Sequence, residues 1–153
     1  MLSSASAAAG SSADCLFCRI VAGEVDAPVV FEDEVSFGFL DHRPLFFGHT
    51  LLVPKRHVAT LPELPDGLIE PYFRAVRLLS AAVPRAMGAQ GSFVAANNVV
   101  SQSVPHLHFH VVPRVRKDGL RGFFWPRTKY GDEAEAAKAA AKVRAAVAEL
   151  GES

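Results

Sequence analysis

Val104-Pro105-His106-Leu107-His108-Phe109-His110-Val111-Val112-Pro113-Arg114 decides the fold and most of the chemistry. Histidine alternates with large apolar residues through its middle, the period of two that belongs to a β-strand. His106, His108 and His110 therefore share one face, and Leu107, Phe109 and Val111 share the other. The apolar face is predicted to be core. Three imidazoles in register, each costly to desolvate when charged, point to chemistry on the opposite face. At a rise of roughly 3.3 Å per residue, neighbouring histidines have Cα atoms roughly 6.6 Å apart and the outer pair roughly 13 Å apart. No single metal ion can hold all three from one straight strand. Two uses remain: a His-x-His pair can share a metal, as in a metal-dependent hydrolase, or the row can follow an extended anionic chain such as a polyphosphate. In the second use one imidazole attacks phosphorus and its neighbour serves charge or proton needs. We favour the second.

Composition fits one soluble domain. The chain has 153 residues, 50% of them hydrophobic, enough for a single core and too few for two ordinary domains. Its formal net charge is zero, so no global field recruits nucleic acid or a membrane. Residues 1–13 are nearly all serine and alanine, without the basic start and apolar run of a secretory signal, and are read as a disordered tail. No later stretch approaches a membrane span, and a cytoplasmic protein is expected. Cys15 and Cys18 are the two cysteines; at that spacing and in that compartment they suggest metal or redox chemistry before a structural disulfide.

Outward from the histidine stretch the pattern predicts an α+β domain. Cys15 to Ala22 suits a short turn or helix ended by Gly23. Val29–Glu32 and Val35–Leu40 read as strands joined by Asp33-Glu34, and Thr50–Val53 as a third strand stopped by Pro54. From Asp66 to about Met87, Leu68, Ile69, Tyr72, Phe73, Val76 and Leu79 recur at helical spacing, with Pro84 bending the last turn and Gly88 ending it. Ser92–Ala96 is a further strand, and the histidine strand follows the 97–103 loop. Four or five antiparallel strands with one long helix on a face are expected.

The C-terminal third, 115–153, is read as a basic and aromatic loop followed by a helix packed on the domain. Arg114 to Lys129 carries Arg114, Arg116, Lys117, Arg121, Arg127 and Lys129 against Asp118, interleaved with Phe123, Phe124 and Trp125. Such a loop can bind phosphate and stack on a base, so it could cover the distal half of a nucleotide or touch nucleic acid. It could equally be a solvated loop whose aromatics dock on the core or on a second subunit. Asp132-Glu133-Ala134-Glu135 resembles a capping box opening a helix, with Ala136, Ala140, Val143, Val147 and Leu150 on one face and Gly151 beyond its end.

Three stretches together carry a family resemblance. His106-Leu107-His108-Phe109-His110-Val111-Val112 resembles the motif that names the histidine-triad (HIT) family of nucleotide hydrolases and transferases. Phe39-Leu40-Asp41-His42-Arg43-Pro44 with Gly48-His49-Thr50-Leu51-Leu52-Val53-Pro54-Lys55-Arg56-His57 looks like the family's second signature. Cys15-Leu16-Phe17-Cys18-Arg19-Ile20 with Gly23-Glu24 matches its start. The resemblance covers residues 14 to about 114, taken here as the HIT domain, and implies a HIT-like fold that assembles as a two-fold dimer.

It also implies roles. His108 matches the nucleophile, while His110 and His49 match phosphate contacts. Asp41 matches the acid that holds the ribose hydroxyls, although it could instead cap the turn before Pro44. Phe17, Ile20 and Phe39 match positions around the base, Gln102 and Ser103 contacts to the leaving group, and Asn97 a phosphate or ribose contact. Many relatives have a glycine-rich stretch before this glutamine, whereas Asn97-Asn98-Val99-Val100-Ser101-Gln102 has no glycine. Cys15 and Cys18 with His57 and His106 match a structural zinc site, which leaves His108 and His110 for catalysis. The implied activity is attack on the α-phosphate of a nucleoside phosphoramidate or dinucleoside polyphosphate through a nucleotidyl-histidine, releasing a purine monophosphate such as AMP. The alternatives are a nucleotide-binding or scaffold protein with weak turnover, and a metal-dependent hydrolase.

Overall fold

The computed structural model describes residues 12–120 and 127–151. A 3-10 turn at Ser12–Asp14 leads into α1 (Leu16–Val21), then β1 (Val29–Glu32), β2 (Ser36–Leu40) and β3 (Thr50–Pro54). A second 3-10 turn (Leu61–Glu63) precedes α2 (Asp66–Ala86), followed by β4 (Gly91–Ala95), β5 (Phe109–Arg114) and α3 (Glu133–Gly151). The architecture is α+β, as expected. Of the residues read as a tail, Ser12 and Ala13 lie in the first turn and residues 1–11 lie outside the described ones. Arg121, Phe123, Phe124 and Trp125 of the basic loop also lie outside them.

The five strands form one antiparallel sheet in the order β1-β2-β3-β5-β4. β5 is interior, with Leu51 of β3 opposite His110 on one side and Ala95 of β4 opposite it on the other. Its ladder begins only at Phe109, later than the alternation suggested. β3 ends at Pro54, and Leu107 N–H instead donates to the Val58 carbonyl at 2.7 Å, in the segment beyond β3. The alternation of faces nevertheless runs through all three histidines. Leu107, Phe109 and Val111 join Leu52, Tyr72, Val76, Leu79 and Val83 in one core cluster.

Helix α2 forms because its apolar residues repeat at helical spacing: Tyr72, Ala75, Val76, Leu79 and Val83 are buried and make one stripe against the sheet. The Tyr72 hydroxyl donates to the Leu52 carbonyl at 2.7 Å, so its polar end is satisfied inside the core. The helix stops as predicted at Gly88, whose φ of +63° lets Gly88 N–H reach the Arg85 carbonyl and Ala89 N–H the Pro84 carbonyl. On the other face of the sheet a second cluster gathers Cys15, Phe17 and Ile20 with Phe37, Phe39, Leu51 and Val53. The period of two in β2 and β3 thus serves two cores at once.

The chain divides into two compact units, the second beginning at Gly119. Within it, Asp132 caps α3 by accepting from Glu135 N–H at 2.8 Å, while the Glu135 carboxylate accepts from Gly131 N–H at 2.6 Å. Val143, Val147 and Leu150, expected on a packing face, are all exposed, and the helix runs through Gly151 rather than stopping before it. Among the described residues no helix is long and apolar enough to cross a membrane.

Candidate functional site

His108 is nearly fully buried, and its Nδ1 lies 2.7 Å from the His106 carbonyl oxygen. A carbonyl only accepts, so Nδ1 carries the proton and Nε2 presents a lone pair. Burial lowers the pKa of His108 below its ordinary value, opposed by that hydrogen bond and by the Asp41 carboxylate. At neutral pH the ring is an uncharged nucleophile or base.

A second chain of hydrogen bonds sets the neighbouring rings. Leu45 N–H donates to His49 Nδ1 at 3.0 Å, which places the His49 proton on Nε2. That proton points to His110 Nδ1, 3.0 Å away. His110 must therefore hold its own proton on Nε2 and offers it outward as a donor. Burial, then the nearby His108 and His49 rings, push His110 down to about 4 against the pull of Asp41. Burial likewise lowers His49, again against Asp41. A lone pair on His108 thus stands beside a neutral donor on His110, with ring centroids 5.0 Å apart.

Asp41 sits at the exit of β2. Its Oδ1 accepts from Arg43 N–H at 2.9 Å, which caps the turn, and its Oδ2 lies 3.6 Å from His49 Nε2. Phe17 stands edge-on to His108 with centroids 5.0 Å apart and to Phe39 at 5.4 Å. Phe17, Ile20 and Phe39 are all buried in the same cluster beside the triad.

The 97–103 loop is braced internally. The Gln102 amide uses both ends, Oε1 accepting from Val99 N–H at 3.0 Å and Nε2 donating to the Ala59 carbonyl at 2.6 Å. Asn97 Nδ2 donates to the Ser101 carbonyl at 3.1 Å, and Ser103 is exposed. Val99 and Ser101 have φ of +70° and +61°, the left-handed region that glycine occupies without cost. The loop keeps a glycine-like path without glycine. Asn98, which the sequence did not single out, accepts from Leu61 N–H at 2.9 Å and ties the loop to the turn before α2. Nothing local in the sequence marks that long-range bond.

Cys15, Cys18, His57 and His106 converge, their ligand atoms all within 4.8 Å of one another. Cys15 caps α1, and Cys18 follows one turn later on the same side. His106 Nε2 donates to the Pro54 carbonyl at 2.8 Å, leaving the Nδ1 lone pair 3.3 Å from Cys15 Sγ and 3.5 Å from Cys18 Sγ. His57 Nδ1 is 3.3 Å from Cys18 Sγ. Tetrahedral zinc with bonds of roughly 2.3 Å to sulfur and 2.0 Å to nitrogen sets S···N separations of about 3.5 Å, and the donor set is the usual one. The residues fit the metal. Burial holds His106 down at about 4, so it is neutral and able to ligate, while burial beside Cys15 pushes the Cys18 thiol up to about 12. A cation between the sulfurs would reverse that preference for the thiol.

Asp41, His49 and His110 form a second cluster within 4.8 Å. Here the donor set does not fit. With Leu45 N–H on Nδ1, a neutral His49 carries hydrogen on Nε2 and has no lone pair for a metal.

The comparisons agree with this geometry. The model of the HIT domain matches residues 22–117. An adenosine 5'-monophosphoramidase of Schizosaccharomyces pombe is 34% identical over 114 residues, 73% of this chain and 83% of that protein. An adenylylsulfatase of Arabidopsis thaliana is 36% identical over 109 residues, 70% of this chain and 55% of that protein. Among solved structures, a HIT family member from Bacillus subtilis superposes with a TM-score of 0.77 at 31% identity, covering 86% of this chain and 95% of that one. A zinc-bound histidine-triad protein from Mycobacterium smegmatis superposes with a TM-score of 0.67 at 33% identity, covering 93% and 99%. Three alternating histidines on one face of an interior strand, a shared five-stranded fold and a family match over most of the first unit place this chain in the HIT family.

Proposed function

We propose that the protein is a nucleotide hydrolase in which His108 Nε2 attacks the α-phosphate of a purine nucleotide derivative, a nucleoside phosphoramidate or a dinucleoside polyphosphate. The observation that carries the reading is the proton placement: His108 is held with its lone pair outward and His110 with its N–H outward. Nε2 forms a bond to phosphorus, and the leaving group departs with the electron pair of its own bond and takes up a proton from solvent. The positive charge that develops on the ring is met by the His106 carbonyl at Nδ1. His110 Nε2–H donates to a phosphate oxygen. Water then displaces Nε2, releasing the nucleoside monophosphate, AMP for an adenosine substrate, and restoring neutral His108.

The remaining roles follow from position. His49 acts on phosphate through His110, since its own Nε2–H is spent there. Asp41 keeps Oδ2 for the ribose hydroxyls while Oδ1 holds the turn. Phe17, Ile20 and Phe39 wall the side where the base lies, and Asn97, Gln102 and Ser103 border the leaving group. Zinc on Cys15, Cys18, His57 and His106 would be structural, all four positions being filled by protein. A two-fold dimer, which the family resemblance implies, completes the reading, with β4 as an end strand of the sheet among the described residues.

His108→Ala tests the activity. Turnover of adenosine phosphoramidate, diadenosine triphosphate and diadenosine tetraphosphate should fall by at least ~10²-fold, with fold and AMP affinity kept. Undiminished turnover would refute the proposal. Tight AMP binding by a wild-type protein that turns over none of the three would identify a binding protein instead.

A further inference from the structure

The phosphorus chemistry uses neither cysteine sulfur, yet the two are placed unequally. Cys15 is 8% exposed at the N-cap of α1, where its Sγ accepts from Cys18 N–H at 3.4 Å. Cys18, within the first turn of the same helix, is partly open to solvent. Their sulfurs lie within 4.8 Å of each other, at the Cys-x-x-Cys spacing of pairs that form and break a disulfide. One sulfur is within reach of a solvent oxidant, and the other stands behind it. A bound zinc ion would keep both as thiolates, the form that attacks an electrophile.

Metal and disulfide would hold very different lengths of chain. Cys18 is 39 residues from His57 and 88 from His106, so shared ligation closes long loops. A disulfide between Cys15 and Cys18 spans a separation of 3. Loop-closure entropy grows with loop length, which makes the local bond a poor substitute. His106 would lose most from the exchange. It is fully buried, its Nε2 is committed to the Pro54 carbonyl, and its Nδ1 faces the two sulfurs. A disulfide is neither a cation nor a donor, so that lone pair would be left buried and unpaired.

We propose that Cys15 and Cys18 are a site of reversible oxidation by hydroperoxides, where disulfide formation withdraws both sulfurs from the metal and opens the clasp between α1, His57 and His106. The proposal rests on the structural zinc reading above. The Cys18 thiolate attacks a peroxide oxygen: an S–O bond forms, the O–O bond breaks and hydroxide leaves, giving a sulfenic acid. The Cys15 thiolate then attacks Cys18 Sγ, the S–S bond forms, the S–O bond breaks and a second hydroxide leaves. Two electrons pass from the sulfurs to the peroxide, and both hydroxides take protons from solvent to become water. His57 and His106 alone, two neutral imidazoles, are half of a tetrahedral ligand set and do not retain the dication.

The test reads metal, sulfur chemistry and stability, and turnover plays no part in it. The full chain is reduced, loaded with zinc, freed of excess metal and treated with hydrogen peroxide. A short pulse in the presence of dimedone should label Cys18 at least tenfold more than Cys15. Longer exposure should release about one zinc per chain to a chromogenic chelator and leave a disulfide between Cys15 and Cys18 in the unreduced peptides. The melting temperature should fall by at least about 5 °C, and dithiothreitol with zinc should restore it. A reduced chain that takes up no zinc would sink the metal reading and this proposal together. Where zinc does bind, the proposal alone is overturned if excess peroxide leaves it in place, or if the label falls mainly on Cys15. Sulfinic or sulfonic acid in place of the disulfide overturns it as well, as does an oxidised protein whose melting temperature falls by less.

Discussion

At the scale of single residues, the position of each proton traces back to a backbone group. The Leu45 amide fixes His49, His49 fixes His110, and the His106 carbonyl fixes His108. All three rings have pKa values lowered chiefly by burial, His110 down to about 4, so they stay uncharged below the ordinary histidine value of about 6.5. The acid limb of kcat/KM should therefore fall below pH 6.5. Asp41 raises all three values, so Asp41→Asn should move that limb to lower pH, whatever it does to the plateau; a limb that moves up would contradict the arrangement. Stability carries the same signature. Unfolded His110 takes a proton near pH 6.5 and the folded residue only near 4, so stability should be lost as pH falls through that window, by up to about 3 kcal/mol for this group. Denaturant titrations of wild type and His110→Gln across pH 7 to 4 should differ in slope there. The sequence showed which imidazoles share a face, because that depends on strand period alone. It could not show the tautomers, because Leu45 acts through a backbone N–H that every residue but proline possesses.

Among the elements, the 97–103 loop holds two left-handed residues that are not glycine, Val99 and Ser101. Val99 is β-branched, largely exposed and left-handed, a conformation that costs an L-residue about 1 to 2 kcal/mol. Val99→Gly removes that cost, gives back part of it as backbone entropy, and should stabilise the protein by about 0.5 to 1 kcal/mol. A lower melting temperature would mean that the exposed side chain makes a contact the free surface does not reveal. Gln102→Leu should act in the opposite direction, since it leaves Val99 N–H and the Ala59 carbonyl without their partner. The lack of glycine was legible; the path the loop takes was not, because it is imposed by Asn98 and Gln102 reaching across to residues 59 to 61. β5 teaches the same lesson. Its alternation was plain, but its pairing with β3 begins only where Phe109 meets Leu52, and Leu107 N–H goes instead to the Val58 carbonyl, a partner no local pattern marks.

For the whole molecule, the Cys/His cluster joins three distant parts of the chain: the start of α1, the segment after β3 and the approach to β5. Closing such loops with a metal contributes directly to folding. Purified protein should contain about one zinc per chain, and Cys15→Ser with Cys18→Ser should lower the melting temperature more than it impairs turnover in protein that remains folded. Metal-free protein of unchanged stability would contradict the structural role. In the proposed reading the same cluster takes His106 out of the triad, which leaves His108 as the triad member whose lone pair is turned outward. Rapid quenching of the enzyme with adenosine phosphoramidate, followed by mass spectrometry of its peptides, tests this most directly. The account predicts one adenylyl group on His108 in the wild type and none in His108→Ala. Adenylyl on another residue, or turnover by a wild-type enzyme that never carries the group, would contradict it.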